Sequence, residues 1–262
     1  MSEKEAPPQR IISLTASLTE ILFALELGHR VVGVTDSCDY PVAVKDLPNV
    51  ACWFDPDIEK LLALKPDLVL GLQTAHQQVK DALESQGIRW LLVNPLSVEG
   101  AIADIERIGE MLGAHEVSEH LIADLHTRLS AIDARVSKIA GENKKTACRI
   151  LDLDDGRFHV AGPLSFQYDI ISRAGGQNVT CSEKEAYPKI TLTQLREWNP
   201  QVIFNCGFDL NAIAAADKPE WRSLKAVQSG NVFTFDCALT CRTGPRIVDM
   251  VELLFKTLYS DE

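Results

Sequence analysis

Apolar and polar positions along the first hundred residues follow two alternating patterns. Short apolar runs, typical of buried parallel strands, occur at 10–14, 30–35, 67–72 and 89–94. Between them, apolar residues recur at helical spacing over 18–27, 57–64 and 76–85. Strands that alternate with helices indicate a parallel sheet covered by helices rather than a sandwich or a bundle.

Polar residues at the ends of these segments predict where the helices begin and end. Ser17 and Glu20 have the spacing of a capping box, and Gly28 suits a left-handed turn after the first helix. Pro56 is expected at the first position of the next helix, with Asp57 in its first turn, where the helix dipole favours negative charge.

The pattern changes at Val98, where a long helical stretch extends to Gly141 with a break at Gly113. Strands resume at 148–153, 159–162, 201–206 and 231–236. Helical spacing returns at 165–174, 191–197, 219–226 and 245–259. We therefore predict an α/β protein with two lobes of parallel sheet flanked by helices, joined by a long rigid helix. The predicted segments are an N-terminal lobe 1–97, a linking helix 98–142 and a C-terminal lobe 143–262.

Composition restricts the possible functions. The chain has 262 residues, 46% of them hydrophobic, and a formal net charge of −11. It offers no basic face for nucleic acid, and no apolar run reaches the ~18 residues of a membrane span. The start "MSEKEAPPQR" lacks the apolar core of a signal peptide. We expect a cytoplasmic protein as the chain stands, or a periplasmic one if a leader has been removed. No catalytic motif is recognised, so we expect a protein that is not an enzyme.

Cysteines are the most distinctive feature, with seven in the chain. Cys148, at the start of a strand, reads as a buried structural residue. The other six fall at strand exits, helix starts or loops: Cys38, Cys52, Cys181, Cys206, Cys237 and Cys241. Because parallel strands carry binding groups at their carboxyl ends, we expect at least three of these thiols to converge. Thiolates bind soft or borderline metals, so the convergence would suit zinc or an iron–sulfur cluster.

Several segments, in order, resemble a known family. They include "RIISLTASLTEILFALELGHRVVGVTDSCDYP", "CWFDPDIEKLLALKPDLVLG", "HVAGPLSFQYDIISRAGGQNV", "YPKITLTQL" and "RTGPRIVDMVELL". The chain resembles the class III solute-binding proteins of ABC importers for vitamin B12, haem and ferric siderophores, over about residues 10–257. The resemblance is closest to the members that bind vitamin B12. It implies a periplasmic-binding-protein-like fold of the helical-backbone type, with the ligand between the lobes.

The resemblance also implies roles for individual residues. Trp53 and Tyr187 match aromatic residues that pack against the ligand. We expect Tyr40, in the turn after the second strand, to contact the ligand as well. Apart from the resemblance, Arg242 lies just before the last predicted helix and would either bind a ligand carboxylate or phosphate or pack and pair at the surface. Glu59 matches one of two carboxylates that dock on the permease, whereas Thr193 stands where the second is expected.

Two functional hypotheses follow. The first is a non-enzymatic binding protein for a metal-containing cofactor, most simply a corrinoid. The second is an intracellular metalloprotein whose cysteines hold an iron–sulfur cluster or a thiolate-bound metal. An ABC permease is an expected partner of the first, although the missing docking carboxylate argues against it. A nucleic acid partner is expected for neither.

Overall fold

The computed structural model describes residues 6–52, 55–210 and 219–259. The chain divides into two compact units. The first comprises Met1–Pro95 and Glu99–Leu125, and the second comprises Leu96–Val98 and His126–Glu262. The boundary near residue 125 falls inside a helix, so the stretch predicted as a separate linking helix is shared between the units.

The first unit is built on one six-stranded sheet. Its strands are β1 (Ile11–Ser13), β2 (Val31–Thr35), β3 (Asn49–Cys52), β4 (Asp55–Pro56), β5 (Leu68–Leu72) and β6 (Arg89–Val93). Their order across the sheet is β4-β3-β2-β1-β5-β6, and all neighbours are parallel except β3 and β4. The predicted strands are present, and the short pair β3 and β4 is added at the edge.

Helices follow the strands of this sheet. They are α1 (Ala16–Ala24), α2 (Ile58–Ala63), α3 (Gln73–His76) and α4 (Lys80–Ser85), with 3-10 turns at Gly28–Arg30, Val42–Asp46 and Gln77–Val79. Apolar residues of β1, β3 and β5 pack against α2 and α4 to form the core, which includes Ile12, Val50, Leu61, Val69 and Leu83.

The predicted helix ends of this unit are wrong in detail. Thr15, not Ser17, caps α1 by accepting from the Leu18 N–H, because the helix begins at Ala16. Asp57 is the cap of α2 rather than a first-turn residue. Glu26 takes the left-handed conformation after α1, with φ of 61°, in place of Gly28.

The long helical stretch forms two helices, α5 (Val98–Leu112) and α6 (His115–Val136). Gly113 separates them with φ of +70°, a conformation that favours glycine. The break predicted at this glycine is confirmed.

The second unit has a sheet of mixed direction. Its strands are β7 (Thr146–Asp154), β8 (Arg157–Val160), β9 (Gln177–Asn178), β10 (Lys189–Ile190), β11 (Val202–Cys206) and β12 (Val232–Phe235). The order is β10-β8-β7-β11-β12, with β9 also paired to β7. The strands β7, β11 and β12 are parallel, while the hairpin of β7 and β8 and the pair of β8 and β10 are antiparallel. The α/β class is confirmed, and this sheet is parallel only in part.

Helices cover both faces of this sheet. They are α7 (Phe166–Arg173), α8 (Leu192–Trp198), α9 (Lys225–Gln228), α10 (Cys237–Thr240) and α11 (Ile247–Tyr259), with 3-10 turns at Gly141–Asn143 and Pro219–Ser223. One side of the core centres on Trp221, which has no exposed surface and stacks on Phe158 at 5.8 Å. Cys148 is part of this core, as predicted.

Candidate functional site

Cys206 is the last residue of β11, a strand buried along its whole length between β7 and β12. Gly207 follows with φ of +79°, which turns the chain away from the sheet. A Cβ atom at Gly207 would lie 3.1 Å from Sγ of Cys237. The glycine therefore supplies both the backbone turn and the space that a second thiol occupies.

Cys237 and Cys241 lie one helical turn apart just beyond β12. Asp236 caps the short helix α10, because its Oδ1 accepts from the Ala238 N–H at 2.8 Å. The Cys241 N–H donates to the Cys237 carbonyl at 3.0 Å and closes the turn. Residues four apart on a helical turn share a face, so both thiols point the same way.

The three thiols converge because β11 and β12 are parallel neighbours whose carboxyl ends meet at one edge. The Sγ atoms of Cys206, Cys237 and Cys241 all lie within 4.8 Å of one another. The Cys206 and Cys241 sulfurs are 3.3 Å apart. The structure thus brings together three of the six thiols that the sequence marked as metal ligands.

Arg149 is the residue of this site that the sequence analysis missed. It lies on β7, beside β11, and only 1% of it is exposed. Its Nη2 donates to Sγ of Cys206 at 3.1 Å and to Sγ of Cys241 at 3.7 Å, and its Nη1 donates to the Ile150 carbonyl. A charged residue inside the apolar run "CRILDL" was the only signal of it in the sequence.

The contacts of Cys206 and Cys241 shift the pKa values of these two thiols in opposite directions. A hydrogen bond from Cys241, helped by the charge of Arg149, lowers the pKa of Cys206 to about 7, although burial opposes the shift. The hydrogen bond to Cys206, together with burial, raises the pKa of Cys241. Near neutral pH, Cys206 thus carries much of the negative charge while Cys241 keeps its proton.

The remaining predicted metal ligands are not part of this group. Cys38 is buried, with its sulfur 3.2 Å from the Thr19 hydroxyl and 3.3 Å from the Thr35 hydroxyl. Cys52 is exposed at the end of β3, and Cys181 is exposed in the loop after β9. No disulfide joins any of the seven cysteines, all of which lie in the described part of the chain.

The predicted ligand-contact residues have different surroundings. Trp53 lies outside the described residues. Tyr40 is 50% exposed and precedes a cis peptide bond to Pro41. Tyr187 is 43% exposed, and its hydroxyl donates to Oε1 of Gln167 at 3.1 Å. Arg242 is half-buried directly after Cys241.

The two positions predicted to dock on the permease are exposed and lie near the starts of helices. Glu59 is exposed in the first turn of α2, and Thr193 is exposed near the start of α8. Across the described residues, no helix is both long and apolar enough to cross a membrane.

Comparison with known proteins identifies the family. The model of the periplasmic binding protein family matches residues 11–239. An uncharacterized ABC transporter substrate-binding lipoprotein of Bacillus subtilis (strain 168) is 30% identical over 258 residues, which is 97% of this chain and 81% of the relative.

Solved structures agree with this assignment. The periplasmic vitamin B12 binding protein of Vibrio cholerae has a TM-score of 0.82 and 26% identity, covering 96% of this chain and 97% of its own. A periplasmic haem binding protein from Pseudomonas aeruginosa has a TM-score of 0.86 and 25% identity, covering 97% and 94%. The chain therefore belongs to the periplasmic binding protein family of ABC-importer substrate-binding proteins and is a binding protein, not an enzyme.

Proposed function

We propose that the protein is the solute-binding component of an ABC importer and that its solute is a metal-containing tetrapyrrole, most simply a corrinoid. The observation that carries this proposal is the similarity, over nearly the whole chain, to a vitamin B12 binding protein and a haem binding protein. Haem is therefore the second candidate solute. These relatives are described as periplasmic or as a lipoprotein, which favours a location outside the cytoplasm. That location replaces the cytoplasmic one expected from the sequence.

The exposed tyrosines supply the surface that such a solute needs. A macrocycle presents a broad, largely apolar face, and aromatic side chains contact such faces over a large area. Tyr40 in the first unit and Tyr187 in the second each expose about half of their surface. Together with Trp53, they remain the predicted contacts for the macrocycle.

Arg242 has a predicted role that separates the two candidate solutes. A guanidinium binds carboxylates strongly, and haem carries carboxylates where cobalamin carries mostly amides. Replacing Arg242 should consequently weaken haem binding more than cobalamin binding.

The permease is the proposed protein partner. Glu59 is the predicted docking carboxylate of the first unit and is exposed. In the second unit Thr193 occupies the matching position, and Glu197, exposed one turn further along α8, is the nearest carboxylate on that helix. We propose that Glu197 takes the place of the missing carboxylate.

The alternative of an intracellular iron–sulfur protein gains no support. The relatives are substrate-binding proteins of importers. Common iron–sulfur clusters use four protein ligands, whereas the group found in the described residues has three cysteines.

Solute binding tests the proposal directly. Purified protein is titrated with cobalamin, haemin and a ferric siderophore, and quenching of intrinsic fluorescence is followed. We expect saturable binding of cobalamin or haemin at one equivalent. Tyr187→Ala should weaken it, while Met111→Ala, which removes an exposed apolar side chain from α5, should not. Binding of neither tetrapyrrole would show that the proposed solute is wrong.

A further inference from the structure

We infer that Cys206, Cys237 and Cys241 form a three-thiolate site for a divalent ion of the zinc and cadmium class. This inference goes beyond the proposed solute, because it concerns an ion bound by the protein's own sulfur atoms. It depends on the positions of the sulfurs and on the buried arginine beside them.

The sulfur positions are close to those of a metal site. A tetrahedral ion with zinc–sulfur bonds of about 2.3 Å holds its sulfur ligands about 3.8 Å apart. The Cys206 and Cys241 sulfurs are 3.3 Å apart, and no pair exceeds 4.8 Å. Small rotations of the cysteine side chains would place all three sulfurs around one ion.

The donor atoms select the class of ion. The group consists of thiols alone, with no histidine or carboxylate among its members in the described chain. Sulfur ligands favour soft or borderline ions and disfavour magnesium and calcium, which take oxygen ligands.

Arg149 provides the balancing charge. Its guanidinium is buried, and in the described part of the chain its side-chain hydrogen-bond partners are the sulfurs of Cys206 and Cys241. A buried cation needs a nearby anion, and these sulfurs supply one when they are ionised. Three thiolates around a divalent ion carry one net negative charge, which this arginine neutralises.

The site is open on one side. Cys206 and Arg149 are buried, whereas Cys237 and Cys241 are exposed. An ion can therefore enter from solvent, and its fourth position faces outward. Three protein ligands with an open fourth position are typical of sites that accept an exogenous ligand, while purely structural zinc sites use four.

A disulfide between Cys206 and Cys241 explains the arrangement less well. It would leave Cys237 unused, although the turn at Gly207 makes room for its sulfur. It would also remove the thiolate that faces Arg149 and leave a buried charge without compensation.

Titration with Cd²⁺ tests the inference. Reduced, metal-free protein is titrated without oxygen, and the ultraviolet charge-transfer band from thiolate to cadmium is followed. We expect one tightly bound equivalent with the intensity of three sulfur ligands. The triple variant Cys206→Ser/Cys237→Ser/Cys241→Ser should lose the band, whereas Cys181→Ser, at an exposed thiol of the same unit, should retain it.

Two single variants keep the test decisive if the triple variant does not fold. Cys237→Ser changes an exposed residue and should reduce the band per bound ion to about two thirds, because one of three sulfurs is lost. Arg149→Met should leave the band in place and weaken affinity by about 10–100-fold, as removal of an outer partner does.

Two results would overturn the inference. They are the absence of a band in the reduced wild-type protein and an unchanged band in Cys237→Ser. The band reports sulfur coordination rather than solute binding. Failure here is therefore distinct from failure of the tetrapyrrole proposal.

Discussion

The cysteines of the two units differ in their surroundings, although the sequence places them at similar points of the fold. In the first unit, Cys38 follows β2 and lies between two threonine hydroxyls, while Cys52 ends β3 in solvent. In the second unit, Cys206 ends β11 and meets two further thiols and a buried arginine. A strand exit is therefore a poor guide to thiol chemistry by itself.

Neighbouring charge explains the difference. A hydrogen bond to Asp36 and the charge of that carboxylate raise the pKa of Cys52. The contacts of Cys206 with Cys241 and Arg149 lower its pKa to about 7. The same residue type is thus a protonated thiol in one unit and a partly ionised thiolate in the other.

The largest expected effect is the loss of a titration step. The ultraviolet absorbance of thiolates in metal-free, reduced protein should show a step near pH 7, because Cys206 ionises below the usual cysteine value of about 8.5. Cys206→Ser should remove this step, and Cys52→Ser should not. A step that survives in Cys206→Ser would place the low-pKa thiol elsewhere.

The next effect concerns the arginine. Arg149→Met removes the buried charge and should raise the apparent pKa of that step by about 1–2 units. Arg149→Lys keeps a positive charge but lacks the planar, branched guanidinium, so it should raise this pKa by less. Absorbance titration of both variants measures the difference. Equal pKa values in wild type and Arg149→Met would show that the arginine does not stabilise the thiolate.

Substitution of the core cysteine, Cys148, should affect stability more than substitution of the loop cysteine, Cys181. Cys148 is 1% exposed, and burial raises its pKa to about 12. Cys148→Ser should lower the free energy of unfolding by about 1–3 kcal/mol, because it buries a hydroxyl among apolar side chains. Cys181→Ser should change it by less than about 0.5 kcal/mol. Chemical denaturation measures both, and equal stability of the two variants would contradict the assigned roles.

The smallest expected effect is a difference between the two units in how their contribution to stability depends on pH. In the first unit, His76 is fully buried, its Nδ1 accepts from the Leu72 N–H at 3.0 Å, and burial lowers its pKa. The unfolded chain then binds the proton more readily, so stability should decline as pH falls below about 6.5. His76→Gln keeps an acceptor and should flatten this decline in thermal melts between pH 5 and 7.

The second unit should respond in a different pH range. The folded-state pKa of Cys206 lies below its unfolded value, so its thiolate contributes stability that is present above about pH 8.5 and is lost as pH falls through about 7. Cys206→Ser should remove this contribution and leave the decline at lower pH. An unchanged profile between pH 7 and 8.5 would contradict the assignment.

The central parts of the fold were predictable because buried parallel strands leave continuous apolar runs in the sequence. Strands such as Leu68–Leu72 and Val202–Cys206 were located within a residue or two. Two-residue strands such as Lys189–Ile190 leave no periodic pattern and were not found. The cap at Thr15 was missed because Ser17, two residues on, fits the same motif.

The candidate site was predictable only in part. The meeting of Cys206, Cys237 and Cys241 follows from parallel neighbouring strands, and the spacing of the last two follows from a helical turn. The sequence placed Cys38 and Cys52 in the other lobe, but it could not show that Cys38 lies between two threonine hydroxyls. The sequence also did not identify Arg149 as part of the site, because an arginine in a strand usually lies at a sheet edge or on the surface.

The most direct test of this account is the crystal structure of the protein with Zn²⁺, using anomalous diffraction at the zinc edge. We expect one peak in the second unit within about 2.3 Å of the sulfur atoms of Cys206, Cys237 and Cys241, with Arg149 beside it. A peak bonded to fewer than three of these sulfurs, or no peak near them, would contradict the account.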